Sequence, residues 1–389
     1  MNDDATAAGR IGGVAGTGVR IAVDAMGGDH GPTEVVPGAI DHALAHPEDR
    51  VLLVGLESAI RAAAGDLPSN VSIVPASQVI EMDEHPALAL REKKDASILV
   101  ATELVRRGDA DALITAGHTG AAMAAAVLRI GRLPGVDRPA LAVQMIRKGT
   151  PFVLLDIGAN PDSSAENLAQ YARMGTIFAE RVLGIREPRV ALLSIGEEKG
   201  KGDLRIQRAT ELLDLSGLRF VGNVEGKDLT ADQADVVVTD AVAGNVVIKF
   251  FEGLSTFIFD LFRDEFRGSL RGRLAYLFLR PGIGRIRDVF DYEKAGGSPL
   301  LGVKGSVIIT HGRAKRRMIG FGCGVAAATV RTGVPALIAE ALREDAARLS
   351  AAAGDMTNPA AGAAAAGEVG GAVVEPDLEA ASLDQEDAR

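Results

Sequence analysis

The chain has 389 residues, a formal net charge of −10, one cysteine and no tryptophan, and almost half of it is apolar. An acidic balance leaves no basic surplus to neutralise phosphates, which excludes a general nucleic-acid binder. The lone thiol, Cys323, excludes an internal disulfide framework and fits a reducing compartment. No run reaches the roughly 18 uninterrupted apolar residues of a bilayer span, and the N-terminus lacks a basic-then-apolar leader. The expected location is the cytoplasm.

In chain order, residues 1–18 are rich in Gly, Ala, Asp and Thr and read as a flexible extension. Arg20–Val23 is β-branched and apolar and predicts a buried strand. Further short strands are expected at Val51–Val54, Val71–Val74, Ala112–Thr115, Leu141–Met145, Phe152–Ile157, Val190–Ile195, Phe220–Val224, Val236–Thr239 and Val307–Thr310. Helical patterns fall between them at Pro86–Arg107, Ala165–Val182 and Leu204–Leu215. Such alternation predicts an α/β domain over residues 19–349, with a largely parallel sheet flanked by helices on both faces. From 350 to 389 the chain turns Ala/Gly-rich and then acidic, and is expected to be disordered.

The ends of those strands carry the chemistry. The first runs into Asp24-Ala-Met-Gly27-Gly28-Asp29-His30-Gly-Pro32, and another into Thr115-Ala-Gly-His118-Thr119-Gly120. Others end in Asp156-Ile-Gly-Ala-Asn160, in Gly196-Glu-Glu-Lys199-Gly-Lys201-Gly-Asp203 and in Thr239-Asp240-Ala-Val-Ala-Gly244-Asn245. In open α/β sheets ligands bind beyond the carboxyl ends of strands. Glycine there lets backbone N–H groups approach an anion, while acidic, imidazole and amide side chains orient substrate or move protons. Asp24, Gly27, Gly28, Asp29, His30, His118, Thr119, Gly120, Asn160 and Asp240 are therefore candidate substrate-binding residues. Lysine on a glycine-rich loop can bind phosphate or polarise a thioester carbonyl, although Lys199 and Lys201 also read as solvated loop charges. Asn245 suits an oxyanion donor and equally a helix N-cap.

Other chemistries are weakly supported. No Gly-Lys-Ser/Thr completes a nucleotide-binding loop after Gly120, and no Gly-x-Gly-x-x-Gly opens a helix after a strand. Asp24, Asp29, His30, Asp156 and Asp240 lack paired metal-ligand spacing, so no metal is expected. Cys323 lies between glycines and reads as a small buried residue.

A helical hairpin is expected at about 250–290. Phe251, Leu254, Ile258, Leu261, Phe262 and Phe266 follow helical spacing, and Leu270, Leu274, Leu277 and Phe278 continue after Gly268. Arg263, Arg267, Arg271, Arg273, Arg280, Arg285 and Arg287 accompany them. An apolar face among arginines fits an anionic bilayer surface, with Phe262, Phe266, Arg267, Leu270, Arg271 and Leu274 in contact. It fits a dimer interface as well.

The motifs Ile21–His30, Ala116–Ala121, Asp137–Ala140, Leu154–Asn160, Gly222–Glu225, Val237–Asp240 with Gly244-Asn245, and Gly296–Gly302 occur in this order. Together the chain over residues 19–349 resembles the bacterial phosphate acyltransferases. The resemblance implies formation of acyl phosphate from acyl-[acyl-carrier protein] and inorganic phosphate, early in phospholipid synthesis. It implies a fold like the isocitrate/isopropylmalate dehydrogenases and phosphotransacetylases, a homodimer, no cofactor, and hand-over to a membrane glycerol-3-phosphate acyltransferase. The family's catalytic lysine falls on Lys201, with Lys199 as the alternative, and its catalytic asparagine falls on Asn245. Basic residues at 263–287 or Arg313–Arg317 are candidates for docking an acidic carrier protein. A phosphotransacetylase or dehydrogenase of the same fold, and a non-catalytic membrane scaffold, are the competing readings.

Overall fold

A computed structural model describes residues 18–356 apart from Lys148. The expected extension at 1–17 and the tail from 357 onward lie outside the described residues. The first half of the chain alternates β1 (Arg20–Asp24), α1 (Pro32–Ala45), β2 (Arg50–Gly55), α2 (Glu57–Ala64) and β3 (Val71–Pro75). It continues through α3 (Pro86–Glu92), α4 (Ser97–Arg107), β4 (Ala112–Thr115) and α5 (Thr119–Ala125), which a π-helical turn extends to Ile130. The middle holds β5 (Ala140–Arg147), β6 (Thr150–Leu155), α6 (Ala165–Arg181), β7 (Val190–Leu193), α7 (Leu204–Asp214), β8 (Phe220–Val224) and β9 (Val236–Val238). Two long helices follow, α8 (Ala241–Arg267) and α9 (Leu270–Val289), then β10 (Ser298–Leu301), β11 (Ser306–Ile309), α10 (Arg316–Arg331) and α11 (Val334–Met356). Helix α11 thus carries the chain past the expected boundary at 349.

Eleven strands form one sheet in the order β3-β2-β1-β4-β11-β10-β5-β6-β9-β7-β8. Pairing is parallel except where β10 meets β11 and β5, and where β5 meets β6. Alternate side chains of β1 serve opposite layers. Ile21 and Val23 join Val35, Ala39, Ile319 and Cys323 of α1 and α10, while Ala22 joins Ile98, Leu99 and Ala122 of α4 and α5. A strand buried on both faces needs apolar residues at every position, which is why Arg20–Val23 reads as a continuous run.

The three antiparallel pairings place the site. They reverse the sheet, so β6, β9, β7 and β8 run opposite to β1, β2, β3, β4 and β11. Ser298 pairs with Ile309 at the end of β11, Leu300 with Leu141, and Ala142 with Leu155 at the end of β6. Continuing that register puts Ala142 beside Pro299, one residue from Ser298. The oppositely directed half-sheets are therefore offset lengthwise, and their carboxyl ends reach the same level across the β10–β5 seam.

Two expectations need correction. The helix expected over Pro86–Arg107 is broken between Glu92 and Ser97. There the Asp95 carboxylate leaves the helical path to accept from the Ser77 amide and hydroxyl at 2.8 and 2.6 Å, a tertiary tie to the segment after β3. Strand β10 was not expected, because Gly296-Gly297-Ser298-Pro299 has the composition of a turn.

Candidate active site

A cavity of about 600 Å³ lies at this seam. The turn after β11 delivers Thr310 and His311, the start of α5 delivers Thr119, and the N-terminal turns of α8 deliver Asn245, Lys249 and Glu252. Leu141, Val143, Met145, Ile157, Phe251 and Phe290 make most of the remaining wall apolar. The cavity combines a few convergent polar groups with an apolar body, as small-molecule sites do.

Helix α8 is set in place by its start. Asp240, not Asn245, is the N-cap, accepting from the amides of Val242 and Ala243 at 2.9 and 3.0 Å. Asn245 therefore lies inside the helix with its side chain exposed at the cavity. Gly244 is the contact point beneath it: a Cβ there would sit 2.0 Å from the Asp156 carbonyl oxygen. The spacing 245, 249 and 252 then puts three polar side chains on one helical face.

Among the described residues, two polar atoms at the end of β11 have no hydrogen-bond partner, Thr310 Oγ1 and His311 Nε2. The Arg313 amide donates to His311 Nδ1 at 3.2 Å, which assigns the ring proton to Nε2. Burial holds the His311 imidazole below its usual pKa. Glu252 Oε2 stands 3.8 Å from both His311 Nε2 and Lys249 Nζ, beyond hydrogen-bond reach.

The other expected residues serve elsewhere. The Asp156 carboxylate accepts from Leu141, Gly158, Ala159 and Asn160 amides at 2.8–3.1 Å. Asn160 is buried, and its amide donates to Pro139 O, Asp156 Oδ2 and Tyr171 Oη. Both residues brace the start of β5 against α6 and do not line the cavity. Asp240 Oδ2 accepts from Arg205 at 2.9 Å, tying α8 to α7.

The opening loop packs against the β11 end without lining the cavity. Gly28 has φ +89°, and a Cβ there would meet Gly312 O at 2.8 Å. The Asp29 amide donates to the same carbonyl at 2.8 Å, while the Asp29 and His30 side chains are exposed. Gly27 packs against Gly117, leaving no room for a Cβ. Asp24 is buried: one carboxylate oxygen accepts from Thr115 Oγ1 at 2.7 Å and the other has no partner among the described residues. Burial raises its pKa, against the neighbouring Ser97 and Thr115 hydroxyls that lower it. His118 caps α5, its Nδ1 accepting from Gly120 and Ala121 amides at 3.1 and 3.4 Å. Of the expected set, the structure brings Thr119 and Asn245 to the cavity.

The lysine loop follows β7, the neighbour of β9 in the sheet. Lys199 Nζ donates to Asp214 Oδ2 at 2.8 Å. Lys201 is exposed, its stem packs on Gly196, and its ammonium makes no ion pair among the described residues. It does not line the cavity. Among the described residues, three ligand-type atoms approach within 4.8 Å only at His46, Glu48 and Asp49. Asp49 there is already held by His42, Arg331 and the Val19 amide.

Lys249, Glu252, Thr310 and His311 escaped the sequence reading. The signal existed: Lys249 and Glu252 follow Asn245 at helical spacing, and Thr310-His311 ends a strand expected at 307–310.

The hairpin splits the expected contact set. Leu270 and Leu274 are 77% and 61% exposed, as are Phe250, Phe257, Leu277 and Phe278 in large part. Phe266 is half-buried, its ring 5.5 Å from Tyr276 and 6.4 Å from Phe262, which is itself exposed. Arg267 and Arg271 are exposed. Helix α8 is long and apolar enough, by length and composition alone, to cross a bilayer.

The family described as "Fatty acid synthesis protein" matches residues 19–337. The phosphate acyltransferase of Desulfitobacterium hafniense (strain DSM 10664 / DCB-2) is 46% identical over 318 residues, covering 81% of this chain and 95% of the relative. That of Myxococcus xanthus (strain DK1622) is 45% identical over 324 residues, covering 82% and 92%. A phosphotransacetylase from Streptococcus pyogenes superposes with TM-score 0.55 at 18% identity, covering 80% of this chain and 94% of that one. EutD phosphotransacetylase from Staphylococcus aureus gives 0.54 at 18% identity over the same shares. These two share the fold. On sequence, the chain belongs to the phosphate acyltransferase family.

Proposed function

We propose that this acyltransferase moves the acyl group of an acyl-[acyl-carrier protein] thioester onto inorganic phosphate. A phosphate oxygen attacks the thioester carbonyl, the C–S bond breaks, and the carrier thiol leaves with a proton, giving acyl phosphate. The carrying observation is the seam cavity, where the Asn245 amide meets an apolar body suited to the fatty chain. An amide at this place can donate to the oxyanion that develops on the thioester oxygen. Lys201 is the cationic partner in this reading. Among the described residues its ammonium makes no ion pair where that of Lys199 does, and Asp203 at the end of its loop shares Arg205 with Asp240 at the start of α8. The test incubates acyl-carrier protein and phosphate and follows acyl phosphate. Lys201→Ala is expected to reduce turnover by about 100-fold, and turnover at the wild-type rate would contradict its role.

The protein is further proposed to work as a cytoplasmic homodimer, peripheral to the membrane, upstream of a membrane glycerol-3-phosphate acyltransferase. Support comes from the α8–α9 hairpin, whose exposed leucines and phenylalanines lie among arginines. The same helix carries Asn245 at its base, which would put the acyl product next to the bilayer. Charge reversal at Arg267, Arg271 and Arg273 should abolish binding to anionic vesicles while sparing turnover in solution. Undiminished vesicle binding would refute the membrane contact and leave the dimer interface as the hairpin's role. The basic stretch at Arg313–Arg317 is less suited to carrier docking than its composition suggests, because Arg316 pairs with Asp41 and Arg317 with Asp291 and Glu293.

A further inference from the structure

We infer that Thr310, His311 and Glu252 form the subsite that holds inorganic phosphate, with the two residues that follow β11 donating to its anionic oxygens and Glu252 accepting from its P–OH. The inference rests on the acyl-transfer reading of this cavity and names residues that the family resemblance does not supply.

Its starting point is a pair of orphaned donors. Thr310 is 4% exposed, and its hydroxyl has no partner among the described residues. His311 Nε2 is likewise buried and unpartnered, while Nδ1 is occupied by the Arg313 amide. Buried polar groups are normally satisfied, so two neighbouring orphans lining one cavity mark the place of an absent acceptor. Nothing in the geometry suggests that the end of β11 is free to relax. The Thr310 amide donates to Thr115 O at 2.8 Å, and Gly312 O accepts from the Asp29 amide at 2.8 Å. The opening glycine loop therefore acts as a brace that fixes the donors.

The surrounding charges choose the acceptor. Lys249, Arg313, Glu252 and Asp29 are the charged groups that act on His311. Lys249 favours an anion, and the neutral ring offers an N–H without adding charge. Glu252 would repel a fully deprotonated anion such as sulfate. Phosphate at neutral pH keeps a proton on one oxygen, and a carboxylate at that position can accept it. Donors on one side and a carboxylate on the other thus distinguish phosphate from sulfate.

The test uses the full chain with inorganic phosphate as probe, by calorimetric titration and by the phosphate dependence of acyl phosphate formation. Thr310→Val and His311→Ala are expected to weaken phosphate binding at least 10-fold each and to raise its KM while leaving that of acyl-carrier protein unchanged. His311→Gln, which keeps an N–H donor, should recover part of the loss, and also serves if the alanine variant does not fold. Sulfate should compete poorly with phosphate in the wild type and several-fold better in Glu252→Gln. Folded Thr310→Val and His311→Gln proteins that titrate phosphate like wild type would overturn the inference. So would a loss confined to coenzyme A or the carrier's phosphopantetheine arm. If wild type binds phosphate at these residues yet makes no acyl phosphate, the acyl-transfer reading falls and the subsite stands.

Discussion

Two sets of polar strand ends, alike in sequence, behave in opposite ways in the structure. At the end of β6, Asp156 and Asn160 are buried and almost fully hydrogen-bonded, to each other and to the backbone entering β5. At the end of β11 and the start of α8, Thr310, His311, Asn245 and Lys249 face a cavity, and two of their polar atoms have no partner among the described residues. Glycine beside a polar residue marks both. What separates frame from site is whether the polar atoms are already satisfied, because only unsatisfied ones have hydrogen-bonding capacity left for a ligand. Asp24 stands between the two, with one oxygen held and the other free beside a void of about 10 Å³.

The comparison is sharpest at Asp156 and Asn245. Asp156→Ala should destabilise the fold by about 3 kcal/mol or more, since it leaves several buried amides without an acceptor. Thermal unfolding would show it, and a change near zero would break the distinction. Asn245→Ala should leave stability within about 0.5 kcal/mol of wild type.

Gly244→Ala probes the join between frame and site. The new methyl would collide with the Asp156 carbonyl, so α8 must shift, at a cost of about 1–3 kcal/mol. Turnover should fall with it, because Asn245 is the next residue. Stability lost with turnover intact would show that α8 does not position Asn245.

The smallest effect concerns Asp24. Its folded pKa is raised by burial, so any stability it contributes is full at pH below its unfolded value and lost as pH rises through the folded one. Asp24→Asn should therefore gain melting temperature relative to wild type on going from acidic to neutral pH. A melting temperature of Asp24→Asn that falls relative to wild type over that range would contradict a buried carboxyl with a raised pKa.

Much of this was legible in the residues, and the gaps have physical reasons. β4 and β8 coincide with their apolar runs, and α6 and α7 end within a residue of the expected limits, because burial on both faces and helical periodicity are local signals. The reversal of the sheet is not local. It depends on β10, a short strand with turn-like composition, and on a register set by pairing partners distant in sequence. Without it, the ends of β11 and β6 cannot be brought to one level, and His311 looks like any residue after a strand. Asn245 was identified through family likeness. Its neighbours Lys249 and Glu252 were within reach of the helical repeat, had α8 been started at Asp240.

The central claim is that acyl transfer to phosphate occurs at the seam cavity. The direct measurement is acyl phosphate formation from acyl-carrier protein and phosphate by wild type and by folded Asn245→Ala. The account predicts phosphate-dependent product with wild type and a fall of about 100-fold or more in the variant. Equal rates for the two, or no product from wild type, would contradict it.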